Sequence, residues 1–432
     1  MQGWLRRRAG RVTTPVTPAS ASVLGTARAA GFGVIITTLG VAQIVAWGSS
    51  YYLPAVLATP ISDDTGWPLT WVVGGLSLGL LAAGLVSPWV GRAIERSGGR
   101  PVLAASSVLL ALGLAVLAVA QSLAVYFAAW LILGIGMGAG LYDPAFATLG
   151  RLYGESARPA ITTLTLFGGF ASTVCWPLSA FLVTHLGWRG TCLAYAAFHL
   201  AVLLPLYLYA LPREVEPKSV PTAGAEAPET DVPASRIAPT RFLVGVLAIA
   251  ITLSAMISTL LSVHLLTILQ SRGIGLAAAV ALGALVGPSQ VGARTIEFFV
   301  ARYHHPIWTK LASTLLVAIG IAALWASLPV LVLPLVFYGA GIGLESIARG
   351  TLPLVLFAGP RYAAVMGKLA MPSLIAQAAA PSIGAVLLGA YGTDGTLATL
   401  MAVAAVNFIL AIVMLVSLKR SGIFAQGSLV QP

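Results

Sequence analysis

The chain has 432 residues, of which 58% are hydrophobic and only 9% are charged, and its net charge is +11. A water-soluble domain of this size needs a far larger charged surface, so the composition excludes a soluble globular enzyme and points to lipid as the solvent. The excess of Lys and Arg sits in short gaps between apolar runs rather than on one face, which speaks against nucleic acid and for contact with anionic membrane lipid.

Residues 1–30 carry Arg6, Arg7, Arg8, Arg11 and Arg28 without an apolar core and cleavage site following directly. They read as a cytoplasmic tail rather than a signal peptide. Twelve apolar runs follow, near 31–59, 69–90, 101–120, 124–148, 160–184, 190–211, 241–269, 276–299, 309–327, 329–357, 363–390 and 396–418. Each is long enough to cross a hydrocarbon layer that needs about 20 apolar residues per helix. The expected fold is an all-α integral membrane protein with twelve transmembrane helices in two pseudo-symmetric six-helix bundles. The basic residues outside these runs gather in alternate gaps, and the gaps between carry only Arg189 and Arg272. Because Lys and Arg are retained on the cytoplasmic side, both termini are expected there. The bundles would span 31–211 and 241–418, with a polar, proline-rich cytoplasmic linker at 212–240 and a C-terminal tail at 419–432.

The halves repeat. A shift of about 205 residues lays Gly134, Gly136 and Gly138 on Gly339, Gly341 and Gly343, Gly40 on Gly245, and Gly154 on Gly359. Near that shift Trp176-Pro177 falls on Ala380-Pro381, which predicts matching proline kinks in spans five and eleven. Small residues at this spacing let helix backbones approach in lipid. Like-oriented repeats of this kind place a solute path at their interface.

Between spans two and three, Gly91-Arg92-Ala93-Ile94-Glu95-Arg96-Ser97-Gly98-Gly99-Arg100 resembles the loop motif of the major facilitator superfamily, G-x-x-x-D-R-x-G-R-R, with Glu95 in place of the Asp and Gly99 in place of an Arg. The resemblance covers all twelve spans. It implies that Gly91, Glu95, Arg96, Gly98 and Arg100 brace an inward gate, with Glu95 near the positive N-terminal end of span eleven. The matching segment of the second half, Gly292 to Glu297, is degraded. Trp47-Gly48 and Tyr153 to Arg158 are similar to the monocarboxylate-transporter branch, although span one lacks that branch's lysine, and Gly168, Gly169 and Pro177 do not form the drug/proton antiporter signature.

Charges inside lipid are costly and mark function or a partner. Asp143 lies in span four, Glu345 and Arg349 in span ten, and Lys368 near the start of span eleven. In the superfamily these spans four and ten, with one and seven, line a central cavity, so Asp143, Glu345 and Arg349 are expected to face it. Asp143 reads either as a proton-exchanging carboxylate that meets Arg349 across the halves or as a permanent structural bridge. Glu345 and Arg349, four residues apart, read either as a static intrahelical pair or as coupling residues. Arg349 also suits a substrate carboxylate. Gln43, Trp47, Ser50 and Tyr51 of span one and Ser254 and Ser258 of span seven are candidate lining for a partly apolar organic solute. The competing reading of the aromatics is an interfacial belt, and of the serines helix packing.

Cys175 and Cys192 read as buried inert thiols, His264 as a packing residue, and His304 and His305 as solvated loop histidines. Neither metal-ligand spacing nor a nucleotide loop is present, so no metal, no cofactor and no enzymatic activity are expected. The expected function is secondary active transport of a small-molecule substrate by alternating access, with a proton as coupling ion and an organic anion as cargo. Export of a drug or toxic compound, vitamin uptake and a non-transporting receptor are the alternatives. The expected setting is a bacterial inner membrane, with the protein a monomer.

Overall fold

The computed structural model describes residues 31–213, 241–326, 330–357, 359 and 361–420. The expected N-terminal tail, nearly all of the linker and most of the C-terminal tail lie outside them. The regular elements among the described residues are all helices: α1 (Phe32–Gly48), α2 (Pro54–Thr65), α3 (Leu69–Ser97), α4 (Gly99–Ala118), α5 (Leu123–Gly140), α6 (Tyr142–Tyr153), α7 (Arg158–Gly169), α8 (Ala171–Phe198) and α9 (Leu204–Ala210), then α10 (Arg241–Ser271), α11 (Leu276–Gly283), α12 (Val286–Val300), α13 (Pro306–Trp325), α14 (Val332–Phe357) and α15 (Tyr362–Arg420), with short helical turns of other pitch between some of them.

Eight stretches among the described residues are long and apolar enough to cross a membrane, and Phe32–Gly48 is a shorter apolar helix. Two of the eight, Leu123–Ala210 with 88 residues and Tyr362–Arg420 with 59, far exceed one crossing. The fold is therefore an all-α, multi-pass integral membrane one.

Apolar runs and helices do not correspond one to one. The run 31–59 breaks after Gly48, where Pro54 starts α2 with its ring at the first helical turn. The run 124–148 breaks at Leu141, whose extended backbone separates α5 from α6. Pro177 and Pro381 stay inside α8 and α15; the non-helical backbone comes later, at Gly187 (φ 67°, ψ 174°) and Gly392 (φ 64°, ψ −170°). Those glycines are themselves 205 residues apart. Their dihedrals are open essentially to glycine alone, so the glycine and not the proline reverses the chain.

The glycine triads explain why the halves pack alike. Added Cβ atoms on Gly134 and Gly138 would strike the backbone of α3 at Gly79 and Ala83, and one on Gly136 would strike Leu110 of α4. In the second half, Gly339 and Gly343 face the backbone of α12 at Val286 and Gln290, while Gly341 faces Ser313 and Val317 of α13. Lipid gives helices no hydrophobic reason to associate, so this close approach and its dispersion contacts hold them. Gly40 is similarly tight against Phe167, but Gly245, its partner by sequence, has open space.

Between the halves, α3 packs along α15, and α7 packs on α12 and α14. At the end of the bundle carrying the 91–100 loop, Gly91 lies against Ala363 and Gly367 of α15, and Gly150 lies against Tyr362. At the opposite end each half is tied to itself. Arg189 pairs with Asp64, which also accepts from Trp188 Nε1 at 2.9 Å. In the second half Arg272 donates to Asp394 at 2.9 Å.

Candidate functional site: a cavity closed by a bridge between the halves

The break at Leu141 sets up the site. It ends α5 with a free carbonyl at Gly140, which takes a hydrogen bond from Gln43 Nε2 at 2.8 Å. The Gln43 Oε1 accepts from Trp47 Nε1 at 3.0 Å. Gln43 is fully buried and committed to these partners, so it orients Trp47 and itself does not line the space beyond. The break also places Asp143 in the first turn of α6, where a carboxylate is favoured by the helix dipole.

Arg349 of α14 grips Asp143 with both arms of its fork: Nε to Oδ1 at 2.9 Å and Nη2 to Oδ2 at 2.7 Å. Nη2 also donates to Ser373 Oγ of α15 at 2.9 Å. The two side chains are 17% and 14% exposed, so the bridge is largely out of water but open on one side. That side is a cavity lined by Trp47, Tyr51 and Tyr142 from the first half and by Arg349, Leu374 and Gln377 from the second. Its walls are mostly apolar. Trp47 packs on Tyr51 and Tyr142 with ring centroids 5.2 and 5.1 Å apart, and Tyr142 stacks on Phe146.

The remaining sequence candidates fall elsewhere. Ser50 is fully buried and donates to the Ala46 carbonyl of its own helix. Ser258 offers its carbonyl to Tyr338 Oη at 3.2 Å. Glu345 does not pair with Arg349: its Oε1 takes Lys310 Nζ at 2.6 Å and its Oε2 takes Ser313 Oγ at 2.9 Å. The two cations of this region thus have separate carboxylates. Ser254 Oγ accepts from the same Lys310 at 3.1 Å and from Asn407 Nδ2 at 2.8 Å. Lys368 is exposed.

Lys310 is the residue that sequence reasoning passed over, because it stands at the edge of span nine beside a basic loop. It is 1% exposed. The degraded second loop also proved to be built into the structure. Arg294 is buried and donates across the halves to the Thr165 carbonyl at 3.0 Å. Glu297 is buried, accepts from Thr309 at 2.7 Å, and lies 3.4 Å from His304 Nε2 and 3.9 Å from Arg158 Nη2. Arg158 in turn donates to the His304 carbonyl at 2.6 Å. Both histidines are therefore structural rather than solvated. Glu297 holds the His304 imidazole above its ordinary value, while burial pushes His305 down to about 4. In the first loop, Arg151 donates to the Glu95 carbonyl, and among the described residues the Glu95 carboxylate makes no hydrogen bond or ion pair with α15. Gly98 ends α3 with φ 79°, which favours glycine. Arg96 is in the last turn of α3 and Arg100 opens α4.

A family model, the Major Facilitator Superfamily, matches residues 38–304. The chain belongs to the Major Facilitator Superfamily. It is 29% identical to the transcription regulatory protein OpdE of Pseudomonas aeruginosa over 42% of this chain and 43% of that one. It is 35% identical to monocarboxylate transporter 11 of Mus musculus over 34% of this chain and 33% of that one. The chain thus matches less than half the length of these curated relatives. Among solved structures, the human organic anion transporter MFSD10 (TETRAN) superposes with a TM-score of 0.67 at 19% identity, covering 88% of this chain and 99% of that one. That likeness is one of fold.

Proposed function

We propose that this superfamily member is a secondary active transporter that moves a small organic anion with a proton, by alternating access between two six-helix bundles. The bundles are 31–211 and 241–418, crossing the membrane twelve times, with 212–240 as the linker. The observation that carries the reading is the bidentate Arg349–Asp143 bridge, which joins the halves at the wall of an otherwise apolar, aromatic cavity. An arriving carboxylate offers Arg349 the same planar, two-oxygen geometry as Asp143 and so competes for it. Displacement of Asp143 removes a tie between the bundles and so favours the parted state. The aromatic walls favour an acid with an apolar body.

The distribution of Lys and Arg supports cytoplasmic termini in a bacterial inner membrane, with the 91–100 loop inside. Gly91, Glu95, Arg96, Gly98 and Arg100 are then gate residues, through the packing of Gly91 on α15 and the bond from Arg151 to Glu95. The protein works as a monomer, since each chain carries both bundles.

Uptake of radiolabelled aliphatic and aromatic carboxylates by proteoliposomes, driven by an imposed pH gradient without ATP, tests the proposal. Accumulation that an uncoupler abolishes supports it. A second reading, a non-transporting membrane sensor, draws on the name of OpdE. Saturable binding without flux in the same proteoliposomes favours that reading and rejects transport.

A further inference from the structure

Behind the cavity wall lies a second charged cluster, inside the C-terminal half. Lys310 of α13 meets Glu345 of α14, Ser254 of α10 joins them, and Asn407 of α15 reaches Ser254. The charged or titratable group within hydrogen-bonding distance of Lys310 is Glu345; α10 and α15 contribute the neutral Ser254 and Asn407, and the adjacent Thr309 takes Glu297 from α12. A buried ion pair is often no more stable than an apolar pair of equal volume. This cluster also leaves Asn407 Oδ1 buried without a hydrogen-bond partner. It is poorly explained as a static fastening.

Its position suggests what it does instead. Glu345 is one helical turn from Arg349, so its carboxylate is within that guanidinium's reach. In the present state each cation has its own anion: Arg349 has Asp143 and Lys310 has Glu345. Once the halves have parted and the substrate carboxylate has left, Arg349 lacks Asp143 and keeps only the neutral Ser373 hydroxyl. A guanidinium does not give up its proton at attainable pH, so it turns to the nearest remaining carboxylate, Glu345. Lys310 is then a buried ammonium with a serine hydroxyl as its partner, and an amine is the form such a site tolerates.

We infer that the coupled proton is carried by the Lys310 amine, released when Arg349 exchanges Asp143 for Glu345. Balance is simple: the ammonium becomes an amine, its proton passes to water admitted as the halves separate, and re-forming the Arg349–Asp143 bridge frees Glu345 to draw a proton back onto Lys310. The inference rests on the alternating-access reading, but its test uses no substrate and no flux.

The chain has four lysines, so a spectrum of selectively 15N-labelled lysine side chains in nanodiscs is assignable by removing Lys310. In the wild type, where Glu345 Oε1 lies 2.6 Å from its Nζ, Lys310 gives the reference signal. In Asp143→Asn, where Arg349 lacks its partner, the Lys310 signal is expected to be that of a neutral amine at a pH where the wild type shows an ammonium. In Asp143→Asn/Arg349→Gln, with no competitor for Glu345, it is expected to return to the wild-type behaviour. Asp143→Asn leaves Arg349 uncompensated and is expected to be less stable than the double variant, but unfolding would hydrate Lys310 and favour the ammonium, so a fold defect cannot produce the amine. An ammonium throughout in monodisperse Asp143→Asn overturns the inference, as does an amine in both variants. Either result leaves a pH-driven accumulation of substrate, and hence the transporter reading, untouched.

Discussion

Arg349 and Asp143 stand 206 residues apart in the chain and meet at 2.7 and 2.9 Å through both guanidinium arms. Removing one member leaves the other as an uncompensated charge, which typically costs about 3–5 kcal/mol in a buried pair. Arg349→Gln should therefore melt well below the wild type in a thermal unfolding assay. Asp143→Asn/Arg349→Gln should regain most of the loss, because no lone charge remains. Carboxylate uptake should be absent from both. A double variant that transports at the wild-type rate would falsify the assignment of the cavity's anion contact to Arg349.

A parallel expectation holds for the inner pair. Lys310→Met strands the Glu345 carboxylate, and Lys310 is more deeply buried than either member of the bridge. The expected destabilisation is again about 3–5 kcal/mol, with recovery in Lys310→Met/Glu345→Leu, where both positions become apolar. The double variant is the informative one: it should exchange labelled substrate across the membrane yet fail to concentrate it against a gradient. Undiminished accumulation there would mean that the pair is only a fastening.

Much of this arrangement was legible in the chain, and the gaps have definite causes. The Gly134-Gly136-Gly138 and Gly339-Gly341-Gly343 repeats announced helix contacts because only small residues tolerate that approach. Asp143 and Arg349 stood out because charges within apolar runs are rare. The break at Leu141 was passed over although Pro144 marks it: a proline has no N–H for the Gly140 carbonyl and crowds it, and Gln43, 97 positions away, takes that carbonyl instead. The partner of Glu345 was misread for a related reason. Spacing along a helix reveals the neighbour one turn away, Arg349, whereas the actual partner, Lys310, comes from another helix. The turns at Gly187 and Gly392, by contrast, fall inside the gaps 185–189 and 391–395 left between the apolar runs.

Those two turns give a conformational prediction free of packing. A Cβ at Gly187 or Gly392 meets nothing within 4 Å, so the cost of Gly187→Ala or Gly392→Ala is the backbone's alone. For dihedrals of this kind it should be about 1–3 kcal/mol each. Gly245→Ala, also in open space but within α10, should instead stabilise, by up to about 1 kcal/mol. Thermal unfolding of the three variants side by side checks the contrast. Equal effects at all three would show that the positive φ at the turns is not what requires glycine.

The loop-end contacts should respond to pH in two opposite ways. His304 has its protonation favoured by Glu297, so its value in the folded protein lies above the ordinary one of about 6.5. Its contribution to stability is fully present below about pH 6.5 and fades as pH rises through the raised folded value. His305 is depressed to about 4 by burial, with Arg158 and His304 adding to the effect. Its neutral form is the folded one, and its contribution holds above about pH 6.5 and is lost as pH falls toward 4. Between the two, the junction of Arg158, Glu297 and His304 is firmest in mildly acidic conditions. Because that junction ties α7 to the loop after α12, spin labels on the two halves at this end should report a shorter, narrower distance near pH 6 than near pH 9. In His304→Gln the alkaline change should disappear while the acid loss from His305 remains. A distance that widens with alkali to the same extent in His304→Gln would assign the response to another group.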